Sequence, residues 1–322
     1  MKLLQKLDGW WHGLYMACIA FPLYNVGAKL SIDNYQAHPL VFLCFGSLSS
    51  SLFLLLYAGK GRLALNSIKT MDTWVFAFLN LAAVSFGVSL LVFVSALQGS
   101  ILIRFTSIVC FAITFVMGQS SNKKEYFFSL LSFSGIAIMF FSLELDAKDK
   151  AIALLLLLGA SLCQALRQLL SEFHKTNIEA KTTKDSARVA GVVSSLSALV
   201  FTFILLFLAM YQSYFDITIF SGLPTLVDFF NQGAIVCALI FAGAFSAMSK
   251  YCEFYASKKI SAKYLSTMIA LMPFFVWIYA SVFSIFTNKD LPFNNLDLMC
   301  LALIIIGNVG IAVSAIIESK KQ

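Results

Sequence analysis

Apolar residues fill ten long stretches of the chain, and charged or turn-forming residues occupy the short segments between them. Each stretch is about the 20 residues that a helix needs to cross the hydrocarbon core of a bilayer. Helices are favoured in lipid because a helix satisfies its backbone hydrogen bonds within one segment. The pattern therefore predicts an all-α polytopic membrane protein. The ten predicted transmembrane helices cover residues 9–30, 39–57, 73–97, 100–119, 126–143, 151–173, 189–213, 234–257, 262–286 and 296–317.

The composition agrees with this pattern and excludes several classes of protein. Apolar residues make up 60% of the chain and charged residues 12%, whereas soluble domains average about 25% charged residues. The segments between the stretches are too short to hold an ATPase module or a receptor ectodomain. A net charge of +7 would also suit a nucleic-acid-binding protein, but the cations cluster between the spans. We therefore expect the lipid bilayer and a small-molecule substrate as partners, and no nucleic acid.

The distribution of cations predicts which way the chain faces. Positively charged residues favour the cytoplasmic side of a membrane. One set of termini and loops carries sixteen of them and the opposite loops carry three, Lys148, Lys150 and Lys289. The sixteen are Lys2, Lys6, Lys60, Arg62, Lys69, Lys123, Lys124, Lys175, Lys181, Lys184, Arg188, Lys258, Lys259, Lys263, Lys320 and Lys321. We expect both termini to be cytoplasmic.

Cysteine and histidine give no sign of a metal centre. All seven cysteines fall inside apolar stretches, and none has the spacing of a metal site or of a disulfide framework. The three histidines, His12, His38 and His174, are isolated at the ends of spans, where solvation at the interface explains them better than a proton relay. We expect no metal and no cofactor.

The ten spans divide into two halves of five, residues 1–147 and 148–322. Because five is odd, the second half would enter the membrane from the opposite side, which is the arrangement of an inverted repeat. Spans three and four meet with hardly any loop at residues 95–100, and spans eight and nine do so at residues 256–261. An offset of 161 aligns these junctions and pairs Phe93 with Phe254.

At this level the chain resembles the drug/metabolite transporter superfamily, specifically its ten-helix EamA-like members. The second half carries Phe254-Tyr255-Ala256-Ser257, then Ser261-Ala262, then Leu271-Met272-Pro273, which is similar to the family's aromatic-x-Ala, Ser-Ala and Pro stretch. The first half has Phe93-Val94-Ser95-Ala96 and Ser100, but Cys110-Phe111 stands near the position of the family's proline. The resemblance implies alternating access around a central cavity, small organic solutes as cargo and a bacterial inner membrane as location.

Polar side chains inside the spans are the candidate site, because such groups are costly in lipid. Lys29 and Arg104 lie near span ends, where snorkelling to water explains them as well as function does. Lys250 and Glu253 are three residues apart, on one helix face and within pairing reach; a self-neutralising pair and a cargo-exchangeable pair both fit. The candidate substrate-binding residues are Asn25, Lys29, Arg104, Gln164, Arg167, Lys250, Tyr251 and Glu253; no catalytic residue is expected.

Four intramembrane cations, Lys29, Arg104, Arg167 and Lys250, stand against one clear anion, Glu253. A cavity lined by them should attract anionic groups. We therefore expect a secondary transporter that moves a small charged metabolite, amino-acid-like or nucleoside-derived. S-adenosylmethionine, which some EamA-like transporters carry, is one member of that set.

Three alternatives stay open from the sequence. The excess of cations also fits an exchanger of phosphate esters or other anionic metabolites. A membrane-embedded enzyme would need paired acids or a metal triad, which the spans lack, so we expect no enzyme. A channel would need a filter loop or a ring of subunits. The pattern does not distinguish a monomer from a homodimer.

Overall fold

The structure, a computed structural model, describes residues 2–118, 122–217, 219, 222–287 and 294–319. Within these residues the chain is helical and has no strand. Lys289, Lys320 and Lys321 of the charge pattern lie outside the described residues, as does residue 119 of the fourth predicted span.

The helices follow one another with short connections. They are α1 (Lys2–Tyr15), α2 (Phe21–Tyr35), α3 (Pro39–Ala58), α4 (Arg62–Lys69), α5 (Met71–Leu90), α6 (Ala96–Leu102), α7 (Phe105–Val116), α8 (Lys123–Phe141), α9 (Ala147–Phe173), α10 (Lys175–Glu179), α11 (Thr183–Phe215), α12 (Gln232–Cys237), α13 (Phe245–Ile269), α14 (Met272–Thr287) and α15 (Asn295–Ser319). A π-helical turn over Met16–Ala20 joins α1 to α2, and another over Ala238–Ala244 joins α12 to α13.

Eight helical segments of the described residues are long and apolar enough to cross a membrane. They are Pro39–Ala58, Met71–Leu90, Ala96–Val116, Lys123–Phe141, Ala147–Phe173, Thr183–Phe215, Gln232–Ile269 and Asn295–Ala315. Met272–Ile285 is apolar but shorter. The chain is therefore a multi-pass helical membrane protein, as the sequence predicts, and the number ten stays a prediction.

Successive long helices run in opposite directions, so that the connections alternate between two ends of the bundle. We call the end that holds Asp8, Gly59 and Glu125 the basic end, because most of the cationic connections lie there. The other end, where α2 stops at Tyr35 and Asn231 Nδ2 donates to the Tyr35 carbonyl over 2.7 Å, is the opposite end.

Five pairs of helical segments form the main packing of the bundle: α3 with α11, α5 with α9, α8 with α15, α1 with α13, and α3 with the π-helical turn Ala238–Ala244. Small residues bring α8 and α15 close together. A Cβ on Gly307 would lie 2.7 Å from the Phe128 carbonyl oxygen, and one on Gly135 would lie 3.0 Å from the Cys300 carbonyl oxygen. Such close backbone approach is how helices associate in lipid, where no water drives them together.

Two predicted spans differ from the structure at their shared boundary. The third helix ends at Leu90 and not at residue 97, and the fourth begins at Ala96 and not at residue 100. The cause is a capping box: Ser95 Oγ accepts from the Gln98 N–H, and Gln98 Oε1 accepts from the Ser95 N–H. This motif starts a helix at a fixed residue, whatever the apolar run around it.

Two of the predicted spans are interrupted. The fourth consists of α6 and α7, with a break at Ile103 and Arg104. The ninth has a non-helical start at Ser261, whose φ of +65° lies in a region that favours glycine. A second break follows at residues 270–271, just before Pro273, where the missing proline N–H leaves a carbonyl without its helical partner.

Candidate functional site

A cluster of charged side chains lies inside the bundle where α5, α9 and α13 meet. Arg167 Nη2 on α9 lies 3.0 Å from Glu253 Oε2 on α13, and Arg167 Nη1 donates to Asn80 Oδ1 on α5 over 2.6 Å. Lys250 Nζ also donates to Asn80 Oδ1 and lies 3.9 Å from Glu253 Oε2. We call Asn80, Arg167, Lys250 and Glu253 the ion cluster; it has two cations and one anion.

The ion cluster is shielded from solvent. Arg167 is 1% exposed, Glu253 0% and Lys250 5%. The Phe76 ring lies 5.7 Å from both Arg167 Cζ and Lys250 Nζ, so that its face contributes cation–π attraction to both cations. Removing such charges from water is expensive, and pairing repays that cost only when geometry and hydrogen bonding are good.

The hydrogen bonding of the ion cluster is incomplete. Arg167 Nε and both carboxylate oxygens of Glu253 are buried without a hydrogen-bond partner among the described residues, although Oε2 has its ionic contact with Arg167. The buried Tyr24 hydroxyl is also without one. Buried polar groups in proteins are nearly always satisfied by protein, water or ligand, so these atoms can take further partners.

A small cavity lies one helical turn from the ion cluster, toward the opposite end. Its volume is about 70 Å³, and its walls come from α2, α5, α9 and α14 together with the break at Ile103 and Arg104. The lining residues are Phe21, Tyr24, Asn25, Ala83, Val84, Gly87, Val88, Ile103, Arg104, Ala160, Gln164 and Met272. Gln164 and Ala83 of this lining each stand three residues from a member of the ion cluster, Arg167 and Asn80, so the cluster lies about one helical turn below the cavity and outside its lining.

Arg104 enters this cavity from the break between α6 and α7. It is 5% exposed, so it does not snorkel to the surface. Its guanidinium donates to the Ile269 carbonyl over 2.8 Å, to the Ser100 carbonyl over 3.2 Å and toward Met272 sulfur at 3.5 Å. All these acceptors are neutral, so within the described chain Arg104 is a buried cation without an anionic partner.

The structure brings together most of the sequence-predicted site residues but not all. Arg167, Lys250 and Glu253 belong to the ion cluster, while Asn25, Arg104 and Gln164 line the cavity.

The other two candidates lie elsewhere. Lys29 lies near the opposite end, where its Nζ is 3.0 Å from Asp33 and donates to the Leu91 carbonyl. Tyr251 turns toward α1, where its hydroxyl lies 3.5 Å from His12 Nε2. Neither lines the cavity, because each lies on a different helix face or at a different depth.

Aromatic and polar side chains close the bundle below the ion cluster, on the side of the basic end. The Phe76 and Phe254 rings lie 4.8 Å apart, and both residues are fully buried. Asn177 Nδ2 donates to the Phe254 carbonyl over 2.8 Å. His174 bonds to Thr73 and Thr176 through its two ring nitrogens, and its burial lowers the pKa of its imidazole below the usual value.

Several buried polar groups were not found from the sequence. Asn80 is an uncharged residue in an apolar helix. Its place in the site is evident only from its two cationic partners, Arg167 on α9 and Lys250 on α13. Lys263 Nζ and Glu125 Oε2 lie 2.5 Å apart, and both side chains are almost fully buried. In the sequence both residues lie next to the ends of predicted spans, so they resemble ordinary charged residues of loops. No group of three or more metal-ligating side chains occurs among the described residues.

Comparison with known proteins bears on the fold alone. No family model matches the chain, and no curated protein matches it. A protein of known crystal structure is similar, with a TM-score of 0.56 and 14% sequence identity over 95% of this chain and 97% of that one. At that identity the likeness extends to the fold alone.

Proposed function

We propose that this protein is a secondary transporter that moves a small charged organic solute across a membrane by alternating access. The observation that carries the proposal is the cavity inside the bundle, with the unpaired cation of Arg104 in its wall and the ion cluster about one helical turn below it. Ionisable residues inside membrane helices mark substrate and ion pathways.

The packing supports two inverted five-helix repeats and ten crossings. We number the crossings from one, α1–α2, to ten, α15. The pair α5–α9 is then crossings three and six, and the pair α13–α1 is crossings eight and one. Adding five to each crossing number, and counting on from ten to one, turns the first pair into the second. The same shift returns the pairs α3–α11 and α8–α15 to themselves. A helix arrangement that repeats in this way is expected of an inverted repeat.

The two interrupted helices occupy equivalent places in this scheme. Ser95-Ala96 starts α6 and Ser261-Ala262 starts the last part of α13; the offset is 166, in place of the 161 expected from the sequence. Each helix then breaks after a similar distance, at residues 103–104 and 270–271, and the Ser107 and Ser266 hydroxyls lie 3.1 Å apart beside the breaks. Broken helices at the repeat interface are typical of substrate sites in transporters.

The charges of the site favour a cargo with an anionic group. Arg104 and the two cations of the ion cluster outnumber Glu253, and a cargo carboxylate would supply the missing partner that a buried cation requires. The free Glu253 oxygen could accept from a cargo ammonium. We therefore favour an amino-acid-like zwitterion or a nucleoside-derived metabolite with such groups, of which S-adenosylmethionine is one example. The same excess of cations makes a phosphate-ester exchanger the second candidate.

The size of the cavity requires movement. A volume of about 70 Å³ is well below the roughly 300–1,000 Å³ of sites that bind small molecules. The cavity must therefore widen as cargo enters, and alternating access supplies such a movement. We place the basic end in the cytoplasm of a bacterium, because cationic connections favour that side.

A thermal-shift screen of the purified protein tests the proposal. The compounds are amino acids, nucleosides, sulfonium compounds and sugar phosphates. Ligand at 100 times its Kd stabilises the folded state by about 2.7 kcal/mol. We expect a hit to stabilise the wild type and the control variant Lys29→Gln but to lose most of its effect on Arg104→Gln. Equal stabilisation of Arg104→Gln would contradict the assignment of the site.

A further inference from the structure

One short segment at the basic end is held by carboxylates from three different helices. The segment is 259–263, which contains the break at Ser261. The contacts are Asp8 Oδ2 of α1 with Lys259 Nζ at 2.6 Å, Glu172 Oε2 of α9 with the Ala262 N–H at 2.7 Å, and Glu125 Oε2 of α8 with Lys263 Nζ at 2.5 Å. We call this set of contacts the carboxylate clasp.

The contacts of the clasp differ in burial. The Glu125 and Lys263 side chains are 1% and 4% exposed, and Lys263 Nζ also lies 4.6 Å from the centre of the Phe111 ring. The Asp8 carboxylate is more exposed, at 42%. Hydrogen bonds from Lys259 and then Tyr255 keep the pKa of Asp8 below its usual value, so this residue is ionised and available for pairing. Glu125 with Lys263 is therefore the best-shielded contact of the three.

The clasp holds the chain where it changes direction. Ser261 has a φ of +65°, a strained backbone conformation for a residue with a side chain, which persists only when the surrounding contacts enforce it. The segment thus joins two helical pieces: the main part of α13, which carries Lys250 and Glu253 of the ion cluster, and the shorter piece that ends at Ile269. Movement of one piece against the other requires this joint to leave its partners.

The equivalent joint of the first half has no such support. By the offset of 166, Ser95 corresponds to Ser261, and the Ser95 backbone is ordinary and capped by its own Gln98. Near it, Lys29 Nζ donates to the Leu91 carbonyl over 3.2 Å. In the part of the chain that the structure describes, no carboxylate forms an ion pair or a hydrogen bond with residues 91–97. The two joints that the proposed repeat relates are therefore held unequally.

We propose that the carboxylate clasp holds the basic end closed, so that the state with its cavity toward the opposite end is the resting state, and that release of the clasp opens the cargo site to the basic end. This inference rests on the proposed transport function. It adds that the basic end is the one that opens only after the contacts of the clasp are broken. The cavity above the ion cluster and the packed Phe76 and Phe254 rings below it fit a bundle closed at the basic end.

Native cysteines provide reporters for the test. Cys252 is buried on α13, seven residues before Lys259, and it packs in the cluster that contains Met16 on the α1 side. Cys44, Cys237 and Cys300 are buried in the half toward the opposite end. The experiment compares alkylation rates of these four thiols by a charged, membrane-impermeant maleimide, with the protein in lipid nanodiscs and peptide-resolved mass spectrometry as the readout.

We expect the double variant Glu125→Gln/Glu172→Gln to raise the Cys252 rate about five- to thirtyfold, the population change that about 1–2 kcal/mol gives. The other three rates should stay as in the wild type. Asp33→Asn, which removes a carboxylate that pairs within its own helix, is the matched control and should change nothing. The exchanged pair Glu125→Lys/Lys263→Glu should keep the Cys252 rate near the wild-type value.

An unchanged Cys252 rate in the double variant, or a raised rate in the exchanged pair, overturns the clasp. A rise shared by all four cysteines also overturns it, because the contacts would then stabilise the whole fold. The rates require no cargo. Wild-type protein without any flux would therefore refute the proposed function alone, and flux with Cys252 insensitive to the clasp variants would refute the clasp alone.

Discussion

At the scale of single residues, the site depends on which buried charges pair. The sequence spacing brings Lys250 and Glu253 to one helix face, and the structure places them 3.9 Å apart. The closer partner of Glu253 is Arg167, at 3.0 Å from another helix. Spacing within a helix could not reveal that contact, because it depends on how α9 packs against α13.

Arg167 and Glu253 should therefore depend on each other for stability. Replacing Arg167 with Met leaves the Glu253 carboxylate buried with only the more distant Lys250, and we expect the free energy of unfolding to fall by about 3 kcal/mol. In the double variant Arg167→Met/Glu253→Gln no carboxylate is left behind. We expect its loss to be smaller than the sum of the two single losses, measured as unfolding in mixed micelles.

Simple additivity of the two substitutions would contradict this pairing, since residues without a shared interaction add to within about 0.5 kcal/mol. Lys29→Met is the comparison variant, because its ion pair with Asp33 is partly exposed. Exposed pairs contribute about 0–1 kcal/mol, so its loss should be slight.

His174 gives the fold a dependence on pH. Its folded-state pKa is depressed by burial, which the nearby Asp72 carboxylate only partly offsets. The unfolded chain therefore binds a proton at a higher pH than the folded one. The stabilisation is complete above the unfolded pKa of about 6.5 and is lost as the pH falls from there to the lower folded pKa.

We expect the thermal midpoint of the wild type to drop between pH 7 and pH 5 more steeply than that of His174→Gln, which keeps hydrogen-bonding groups but does not titrate. Parallel curves for the two proteins would show that His174 is not the group responsible.

At the scale of helices, the apolar pattern predicts that a helix is present more accurately than it predicts the residues at which the helix begins and ends. The predictions for α3 and α8 lie within three residues of the observed bounds, since a turn signal flanks each apolar run. The boundary near Ser95 was wrong because a polar capping box of two residues sits inside a continuous apolar run. The break at residues 103–104 has no proline or glycine to mark it, so only the packed structure reveals it.

The contact between α8 and α15 depends on small residues and gives a prediction at this scale. A methyl group on Gly307 would meet backbone atoms of Phe128 and Ser132 within 3 Å, and backbone cannot move aside as a flexible side chain can. We expect Gly307→Ala to lower the free energy of unfolding by about 1–3 kcal/mol, the usual cost of overpacking.

Gly87→Ala is the matched control, because its new methyl would meet only the end of the Ile103 side chain, at 3.4 Å. The two variants should differ clearly in thermal midpoint. If they unfold at the same temperature, α8 and α15 are not in close contact at Gly307.

At the scale of the whole molecule, the sequence was sufficient to predict a helical membrane protein. It also predicted eight site residues, and six of them lie in the ion cluster or around the cavity. It was insufficient for Asn80, Glu125 and Glu172, because their partners are far away along the chain. Nothing in an apolar helix distinguishes an asparagine that holds two cations from one that packs against a neighbour. That distinction arises only from tertiary packing.

The topology follows from the alternation of the helices and can be tested directly. Single cysteines at Lys60 and at Asp146 lie on connections at the two ends of the bundle. In sealed vesicles, an impermeant maleimide should label the two positions from opposite sides. The native cysteines, which are buried or half-buried, should contribute little background. Labelling of both positions from the same side would disprove the assignment of the ends.

The central claim is that the cavity above the ion cluster carries cargo through the bundle. The most direct measurement is exchange of a radiolabelled solute, taken from the thermal-shift hits, in proteoliposomes preloaded with the same solute. We predict exchange by the wild type and by Lys29→Gln, and at least a tenfold loss in Arg104→Gln, about 1.4 kcal/mol in free energy. Exchange by Arg104→Gln at the wild-type rate would contradict the account.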